Sequence, residues 1–330
     1  METFKSFISK LYTVNESSFQ DIALEVFRFQ ASNNPVYKSF IQNMGISIQD
    51  VGTLDQIPFL PISFFKTHSI KTGQWQPQMT FFSSGTTNSR PSSHFVADLE
   101  FYQNHSRLSF EHFFGPVTKY NFLALLPSYL ERPGSSLITM MSHFISESRS
   151  PHSAFYSNDY AGLLEKLKEI QNDSRKTILW GVSFALLDLA ELYPYDLSNC
   201  MVFETGGMKG RRREITRNEM QEVLKEKINV KTLFSEYGMT ELLSQAYSGV
   251  RDSRFFCPPW MRITCRDITD PLKKGLLSET GGINVIDLAN WHTLSFIETE
   301  DLGKVYQDGA FEVLGRLDNS DLRGCNLMIQ

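Results

Sequence analysis

Apolar residues recur at helical spacing through the first part of the chain. In residues 18–31, apolar positions at i, i+3, i+7 and i+8 predict an amphipathic helix that Ser18 can cap. A second helix is expected to begin at Pro35 and to end at Gly45, because proline suits a first helical turn and glycine a helix end. The residues of this second helix that are expected to face the core are Val36, Phe40, Ile41 and Met44.

A different apolar pattern follows in residues 57–66. This segment is interrupted by proline too often for a helix and is too apolar for a free linker. We therefore expect it to lie against the core as an irregular segment.

Short apolar runs alternate with helical patterns in the middle of the chain. The runs are residues 122–126, 177–180, 201–204 and 232–234, and the helical patterns lie near 160–171, 183–192 and 216–228. This alternation is typical of a mostly parallel sheet with helices packed on its faces. The last helix has a capping box formed by Thr216 and Glu219. Its expected buried stripe consists of Met220, Val223, Leu224 and Ile228.

Beyond residue 280 the apolar period changes from helical to alternating. The alternating runs cover residues 283–286, 293–298 and 305–314, and the pair Asp308-Gly309 is a hairpin signal. We predict a small β-rich subdomain here, with Asp301 at its edge before a turn. The expected division is a helical segment (1–75), an α/β core (76–280), the β-rich subdomain (281–315) and a mobile tail (316–330).

Composition narrows the classes of function. The chain has 330 residues, 41% of them hydrophobic, and a net charge of −5, so no broad basic field favours nucleic acid as a partner. Its cysteines lack paired metal-binding spacing and are expected to be free thiols in a reducing, cytoplasmic compartment; they are Cys200, Cys257, Cys265 and Cys325. The amino terminus lacks a long apolar core, so we expect neither a signal peptide nor a membrane span.

Hydroxyl side chains are concentrated in one short run that could bind phosphate. The run consists of Ser83, Ser84, Gly85, Thr86 and Thr87. Side-chain and backbone donors in such a turn can converge on phosphate oxygens around a permissive glycine. The Walker pattern is absent, and an ordinary surface loop is the alternative interpretation.

Two later segments carry complementary chemistry. In the run 237–241, the Tyr237 ring can stack on a purine, the Thr240 hydroxyl can contact the α-phosphate, and the Glu241 carboxylate can bind Mg²⁺. A strand end followed by a capped helix is the alternative for this run. The Asp301 carboxylate could accept hydrogen bonds from both ribose hydroxyls, although an aspartate near glycine is also a common turn former.

In this order and at these separations, and together with residues 308–316, the three segments resemble the ATP-handling motifs of the adenylate-forming enzymes. That superfamily includes acyl-CoA synthetases, luciferases and peptide-synthetase adenylation domains. The resemblance implies an α/β fold, namely the adenylate-forming (acyl-CoA synthetase-like) N-terminal domain. It also implies that the C-terminal lid domain is missing or vestigial, because only residues 317–330 follow Arg316. The implied reaction converts ATP and a carboxylic acid into an acyl adenylate and pyrophosphate.

A narrower resemblance rests on residues 57–66, residues 205–211 and the final Arg323-Gly324-Cys325. These segments look like the acyl-protein synthetase family, the fatty-acid-activating component of bacterial luminescence reductase complexes. The resemblance implies that the enzyme adenylates a fatty acid and takes the acyl group onto Cys325. It would then pass the group to an acyl-CoA-reductase-like partner.

The resemblance also implies a role for each matching residue. The phosphate cradle would consist of Ser83, Ser84, Gly85, Thr86 and Thr87. The adenine would lie against Gly206, Gly207 and Tyr237. Thr240 would contact the α-phosphate, Glu241 would bind Mg²⁺, Asp301 would hold the ribose, and Arg316 would contact ribose or phosphate.

The chain departs from the superfamily pattern at two points. The first loop continues Asn88-Ser89-Arg90-Pro91 instead of Gly-x-Pro-Lys, and the lid domain that carries the adenylation lysine is expected to be absent. Lys209 is the first candidate to replace that lysine, ahead of the neighbouring run 211–213 of three arginines, since a cation is needed to stabilise charge on the phosphates. A solvated charged face is the alternative interpretation of that run.

Other assignments remain open at the level of sequence. A pocket lined by Trp180, Phe184 and other aromatic residues could suit long alkyl or aryl acids. A shortened ligase that transfers the acyl group to CoA or to an acyl carrier protein is one alternative function. A non-catalytic binding subunit with the adenylate-forming fold is another.

Overall fold

Two separate sets of contacts organise the chain in a computed structural model, which describes residues 4–83, 90–127, 134–206, 215, 217–270 and 273–317. The first unit comprises the described residues of the ranges Met1–Leu99, Met239–Ser244 and Phe256–Gln330. The second unit comprises those of Glu100–Gly238 and Gln245–Phe255. No helix in the described ranges is both long enough and apolar enough to cross a membrane.

The described residues form helices and strands that alternate along much of the chain. The helices are α1 (Phe4–Thr13), α2 (Phe19–Asn33), α3 (Pro35–Asn43), α4 (Phe64–Thr67), α5 (Leu99–Phe114), α6 (Ser136–Ser148), α7 (Tyr160–Glu169), α8 (Ser183–Leu192) and α9 (Arg217–Ile228). The strands are β1 (Leu60–Pro61), β2 (Met79–Phe82), β3 (Ser93–Val96), β4 (Tyr120–Leu125), β5 (Ala154–Tyr156), β6 (Lys176–Val182), β7 (Cys200–Thr205), β8 (Leu233–Tyr237), β9 (Ala246–Ser248), β10 (Phe255–Phe256), β11 (Met261–Arg266), β12 (Gly281–Asp287), β13 (Phe296–Val305) and β14 (Phe311–Arg316).

The second unit is built on a mostly parallel sheet. Its strands follow the order β5-β4-β6-β7-β8-β9, and only β9 runs antiparallel to its neighbour. Every residue of β4 is buried, as expected for a parallel strand that is covered on both faces. Trp180 of β6 stacks on Phe203 of β7, with 4.6 Å between ring centroids. The α/β architecture expected from the alternating pattern is confirmed.

The first unit combines helices with an antiparallel sheet. Strands β11, β12, β13 and β14 pair in that order, and β1 pairs parallel to β13. The predicted Asp308-Gly309 hairpin is confirmed: it joins β13 to β14, and Gly309 has a φ of 78°, which glycine adopts without steric cost. Strands β2 and β3 form a separate antiparallel pair.

The expected cap of α2 is wrong, whereas the expected limits of α3 are confirmed. Ser18 does not cap α2, because its own backbone is helical; the Asn15 side chain instead accepts from the backbone N–H groups of Ser17 and Ser18. The expected limits of helix α3 are confirmed: it begins at Pro35 with Asn34 as its cap, its last residue is Asn43, and Gly45 follows with a φ of 68°.

Burial and the apolar 57–66 segment also differ in part from expectation. Tyr37 and Ile41 are the buried residues of α3, whereas Val36, Phe40 and Met44 are only partly buried. The 57–66 segment does lie against the core, with Ile57 and Leu60 buried, but the short helix α4 forms at its end.

A buried glutamine ties the amino-terminal helices to the rest of the first unit. The Gln30 amide nitrogen donates to the carbonyl oxygens of Asn290 and Trp291 at 2.8 and 3.2 Å. Its amide oxygen accepts from the backbone N–H of Ser295 at 2.9 Å. The side chain is fully buried, so its hydrogen bonds are made away from water, although the Asn290 carbonyl oxygen also accepts from the Thr293 N–H.

We expect Gln30→Ala to lower the free energy of unfolding by roughly 2–4 kcal/mol, because it leaves buried backbone groups unpaired and creates a cavity. Gln20→Ala, at an exposed position of the same helix, is the matched control and should change it by less than about 0.5 kcal/mol. Urea unfolding followed by circular dichroism measures both values. Equal effects at the two positions would contradict the role of the Gln30 contacts.

Candidate active site

Thr240 and Glu241 lie in a tightly bonded turn of the first unit. The Thr240 carbonyl oxygen is 2.7 Å from Nδ1 of His94, and the Asn290 side chain donates to the Glu241 carbonyl oxygen at 2.8 Å. The Ser92 hydroxyl donates to the Glu241 carboxylate itself. The backbone of both candidate residues is therefore held by side chains from other parts of the unit.

The end of the same turn is anchored by a buried carboxylate. Asp287 of β12 accepts from the backbone N–H groups of Leu243 and Ser244 at 2.8 and 2.9 Å, and from the Ser244 hydroxyl at 2.6 Å. Burial raises the pKa of Asp287, while these hydrogen bonds act in the opposite direction. A carboxylate so placed satisfies a turn that would otherwise expose unpaired donors to an apolar interior.

Burial and neighbouring charges have opposite effects on the pKa of the Glu241 carboxyl group. The residue is 5% exposed, and burial raises the pKa of its carboxyl group. The Ser92 hydrogen bond and the positive charges of Lys66 and Arg316 oppose that rise. In the sequence, Lys66 belongs only to the 57–66 segment that carries the resemblance. Its charge near Glu241 could not be predicted from that segment.

Asp301 and Arg316 are brought together by the β13–β14 pairing. They are direct cross-strand partners, and Nε of Arg316 lies 3.5 Å from Oδ1 of Asp301. The Arg316 side chain is 74% exposed, so this ion pair contributes little to stability and could exchange for a ligand at small cost. The expectation that Asp301 precedes a turn is wrong, because β13 continues past it to Val305 through a register shift.

In the second unit, Gly206 and Tyr237 lie at the carboxyl ends of two neighbouring parallel strands. Gly206 directly follows β7 with a φ of 80°, and Tyr237 ends β8. The carboxyl ends of parallel strands are where α/β sheets commonly bind ligands. Tyr237 is 8% exposed, and its ring packs against Phe255 at 5.9 Å, so stacking on a purine stays a prediction.

An ionisable group that the sequence analysis gave no role lies beside them. Glu236 is partly buried, and burial raises the pKa of its carboxyl group from 4.5 to about 7. The Thr205 hydroxyl donates to it at 2.6 Å and lowers the pKa, whereas the nearby charge of Glu204 raises it. A glutamate in the motif itself was visible in the sequence, but its burial was not.

The remaining candidates are only partly covered by the described residues. Ser84, Gly85, Thr86, Thr87, Gly207, Lys209 and Cys325 lie outside them. Ser83 is described: its hydroxyl oxygen accepts from the Ser92 backbone N–H at 2.9 Å, and its own N–H donates to the Ser92 carbonyl oxygen at 3.1 Å. The base of the candidate phosphate loop is thus paired across β2 and β3.

The cysteines in the described ranges are poor nucleophiles. Burial raises the pKa of Cys200 to about 11 and raises the pKa values of Cys257 and Cys265 as well. A thiol with a raised pKa is mostly protonated near neutral pH, and the thiolate is the reactive form.

The aromatic residues proposed to line an acyl pocket are buried. Trp180 is fully buried in the stack with Phe203, and Phe184 of α8 is 2% exposed. Their position in the core is consistent with packing, and their contact with a substrate stays a prediction.

Glu241 is the candidate magnesium ligand of the first unit, and this role stays a prediction. Mg²⁺ takes oxygen ligands and, in nucleotide sites, is commonly held by one or two carboxylates together with phosphates and water. No group of three or more His, Cys, Asp or Glu side chains that could hold a metal occurs within the described ranges. Glu241, with the cations Lys66 and Arg316 acting on it, therefore fits a metal that arrives with phosphate better than a protein-only metal site.

Comparison with known proteins identifies the fold. A scan against protein-family models finds no match, and a search of curated proteins finds none either. Among solved structures, the chain is similar to ATP-bound MatB from Rhodopseudomonas palustris, with a TM-score of 0.55 and 16% identity over 74% of this chain and 49% of that chain. The chain thus spans about half the length of that protein.

Two further structures support the same fold. A 2-hydroxyisobutyryl-CoA ligase in complex with 2-HIB-AMP and CoA has a TM-score of 0.70 and 12% identity, over 92% of this chain and 69% of that chain. A long-chain-fatty-acid-CoA ligase from Archaeoglobus fulgidus has a TM-score of 0.52 and 13% identity, over 76% and 53%. These similarities confirm the adenylate-forming fold. They do not show membership of the narrower acyl-protein synthetase family.

We expect Glu236→Gln to make the protein more stable at pH 8, because ionisation of a partly buried carboxyl group with a raised pKa disfavours the folded state. Since the folded-state pKa of about 7 lies above the ordinary 4.5, wild-type stability falls as pH rises between these values, relative to the variant. The full difference is at most roughly 3 kcal/mol. Urea unfolding from pH 4 to pH 8 measures it, with Glu226→Gln at an exposed position as control. A pH-independent difference would contradict the assignment.

Proposed function

We propose that this protein binds ATP with Mg²⁺ and activates a carboxylic acid as an acyl adenylate. The observation that carries the proposal is the Thr240–Glu241 turn, whose backbone is fixed by His94 and Asn290 within an adenylate-forming fold. Two of the similar structures are described as containing ATP and 2-HIB-AMP, which are a substrate and a product of this class of reaction.

In the proposed reaction, a carboxylate oxygen of the acid attacks the α-phosphorus of ATP. A new oxygen–phosphorus bond forms, the bond to the β-phosphate oxygen breaks, and pyrophosphate leaves. Bound Mg²⁺ would neutralise charge on the phosphates, with Glu241 as its protein ligand. The Thr240 hydroxyl would donate to the α-phosphate, and Asp301 and Arg316 would exchange their mutual ion pair for ribose and phosphate.

Positive charge near the phosphates has more than one possible source in this chain. Lys209 remains our first proposal for the cation that stabilises the transition state, and it lies outside the described residues. Lys66 is a second candidate, since its charge acts on Glu241. Its ammonium group lies 3.8 Å from Glu300, and its side chain is 37% exposed, so it is open to an incoming anion.

The second part of the proposal identifies the group that accepts the acyl chain. We assign the acceptor to Cys325: its thiolate would attack the acyl carbonyl, form a thioester and release AMP. An acyl-CoA-reductase-like protein would then receive the acyl group. The support is the resemblance at 205–211 and 323–325, together with the raised pKa values of Cys200, Cys257 and Cys265. A fatty or aryl acid is the proposed substrate class.

A second candidate function is ligation to CoA. One of the similar structures that cover 92% of this chain is described with CoA bound, which is the observation in favour of a free thiol acceptor. In that case the adenylation step is the same and only the second step differs.

Exchange of labelled pyrophosphate into ATP tests adenylation. With Mg²⁺ and a panel of carboxylic acids, acid-dependent exchange is expected in the wild type and a loss of about 100-fold in Glu241→Gln, because a phosphate-bound metal loses its protein ligand. Glu226→Gln, at an exposed position of α9, is the matched control and should exchange normally. Folded wild-type protein without exchange on the whole panel would refute the enzymatic proposal.

Intact-mass spectrometry tests the acceptor. After incubation with ATP, Mg²⁺ and acid, we expect an acyl adduct that hydroxylamine removes and that is absent from Cys325→Ser. The Cys200→Ser and Cys265→Ser variants should retain the adduct, since burial keeps those thiols protonated. An adduct that persists in Cys325→Ser, or product that forms only with added CoA, would favour the ligase alternative.

A further inference from the structure

The inward face of β3 carries polar side chains where an apolar strand face would be expected. Ser92, just before the strand, and His94 within it point to the same side, and each is 1% exposed. Ser93 and Phe95 alternate with them and are only partly buried. Burying two polar side chains is costly unless their hydrogen bonds are made inside the protein.

The two buried side chains bond to neighbouring residues of the candidate site, one each. The Ser92 hydroxyl donates to the Glu241 carboxylate, and His94 contacts the Thr240 carbonyl oxygen at 2.7 Å. A carbonyl oxygen only accepts, so Nδ1 of His94 carries the proton and donates. The other ring nitrogen, Nε2, lies 2.9 Å from the Thr293 hydroxyl. This second contact fixes the orientation of the ring.

Ser92 is also joined to the first residue of the candidate phosphate loop. Its backbone N–H donates to the Ser83 hydroxyl at 2.9 Å, and its carbonyl oxygen accepts from the Ser83 N–H at 3.1 Å. One residue therefore links the base of that loop to the Glu241 carboxylate. A hydroxyl that donates to a carboxylate oxygen fixes the plane of the carboxylate and leaves its remaining lone pairs for a metal.

We propose that Ser92 and His94 are positioning residues that fix Glu241 and Thr240 for Mg²⁺ and the α-phosphate of ATP. Ser92 sets the orientation of the Glu241 carboxylate, and His94 sets the Thr240–Glu241 peptide. The inference rests on the proposed function, since it concerns the same site. It predicts that the two side chains affect different quantities: Ser92 affects the Mg²⁺ requirement, and His94 affects nucleotide binding and turnover together.

Calorimetry of ATP binding at a series of Mg²⁺ concentrations tests the role of Ser92 without relying on turnover. We expect Ser92→Ala to raise the Mg²⁺ concentration for half-maximal ATP affinity by about 10-fold, since loss of a hydrogen bond to a metal ligand typically costs that much. Affinity for ATP in EDTA should change less than about 2-fold, and Ser92→Thr should restore the Mg²⁺ dependence because it keeps the hydroxyl. Ser93→Ala, on the other face, is the matched control.

The role of His94 is tested by comparing a variant that lacks the ring, His94→Ala, with one that keeps a hydrogen-bond donor, His94→Asn. We expect His94→Ala to weaken Mg²⁺-ATP binding and to lower kcat for exchange about 10-fold each. His94→Asn should recover most of both effects, because an amide N–H can replace the Nδ1 donor. His68→Ala, at an exposed position, is the control. Thermal unfolding of each variant by circular dichroism identifies any loss that comes from unfolding.

The outcomes separate this inference from the function on which it rests. Wild-type protein that binds no ATP with Mg²⁺ would overturn the proposed function and this inference with it. Wild-type binding and exchange with an unchanged Mg²⁺ dependence in folded Ser92→Ala, or failure of Asn to restore what Ala loses at His94, would overturn this inference alone. A shifted Mg²⁺ requirement that Thr reverses would support it.

Discussion

The first unit depends on one constraint: the buried polar side chains that join its amino-terminal helices to the candidate site must find their hydrogen-bond partners inside the protein. Gln30 and Asn34 of the amino-terminal segment bond to the 290–295 loop, through the Asn290 and Thr293 carbonyl oxygens among others. The side chains of that same loop bond to the Glu241 carbonyl and to His94. A chain of satisfied hydrogen bonds thus runs from helix α2 to the candidate metal ligand. Because unpaired members of such a network are costly, it specifies one arrangement of the site.

In this arrangement the amino-terminal helices both shield the core from solvent and help to position the candidate site. Their apolar faces pack the unit, but their buried amides also fix a loop that fixes the Thr240–Glu241 turn. Asp287 performs the same task from the opposite end of that turn, through Leu243 and Ser244. The candidate site is therefore supported by residues that are distant in sequence, and a change in helix α2 can reach it by altering the loop.

The second unit places partly buried carboxyl groups near the carboxyl ends of parallel strands. Glu204 and Glu236 lie near the carboxyl ends of β7 and β8, where Ser235 and Thr205 donate to them. Those hydroxyls stabilise the acids only in part, since burial still raises the pKa of Glu236 to about 7. Perturbed ionisable groups of this kind are more frequent at functional sites than elsewhere. The raised pKa of Glu236, beside Gly206 and Tyr237, fits a ligand-binding strand edge.

Local patterns in the sequence determined helices α7, α8 and α9, strands β4, β6, β7 and β8, and the hairpin at Asp308-Gly309, because periodicity and turn preferences act over a few residues. They did not determine that Ser92 and His94 would meet Glu241 and Thr240, nor that Asp301 would face Arg316 within a continuing strand. Strand register and buried hydrogen bonding decide those contacts, and the partners lie up to 149 residues apart. The burial of Glu236, and with it the raised pKa, was likewise decided by tertiary packing, since desolvation depends on everything that surrounds a side chain.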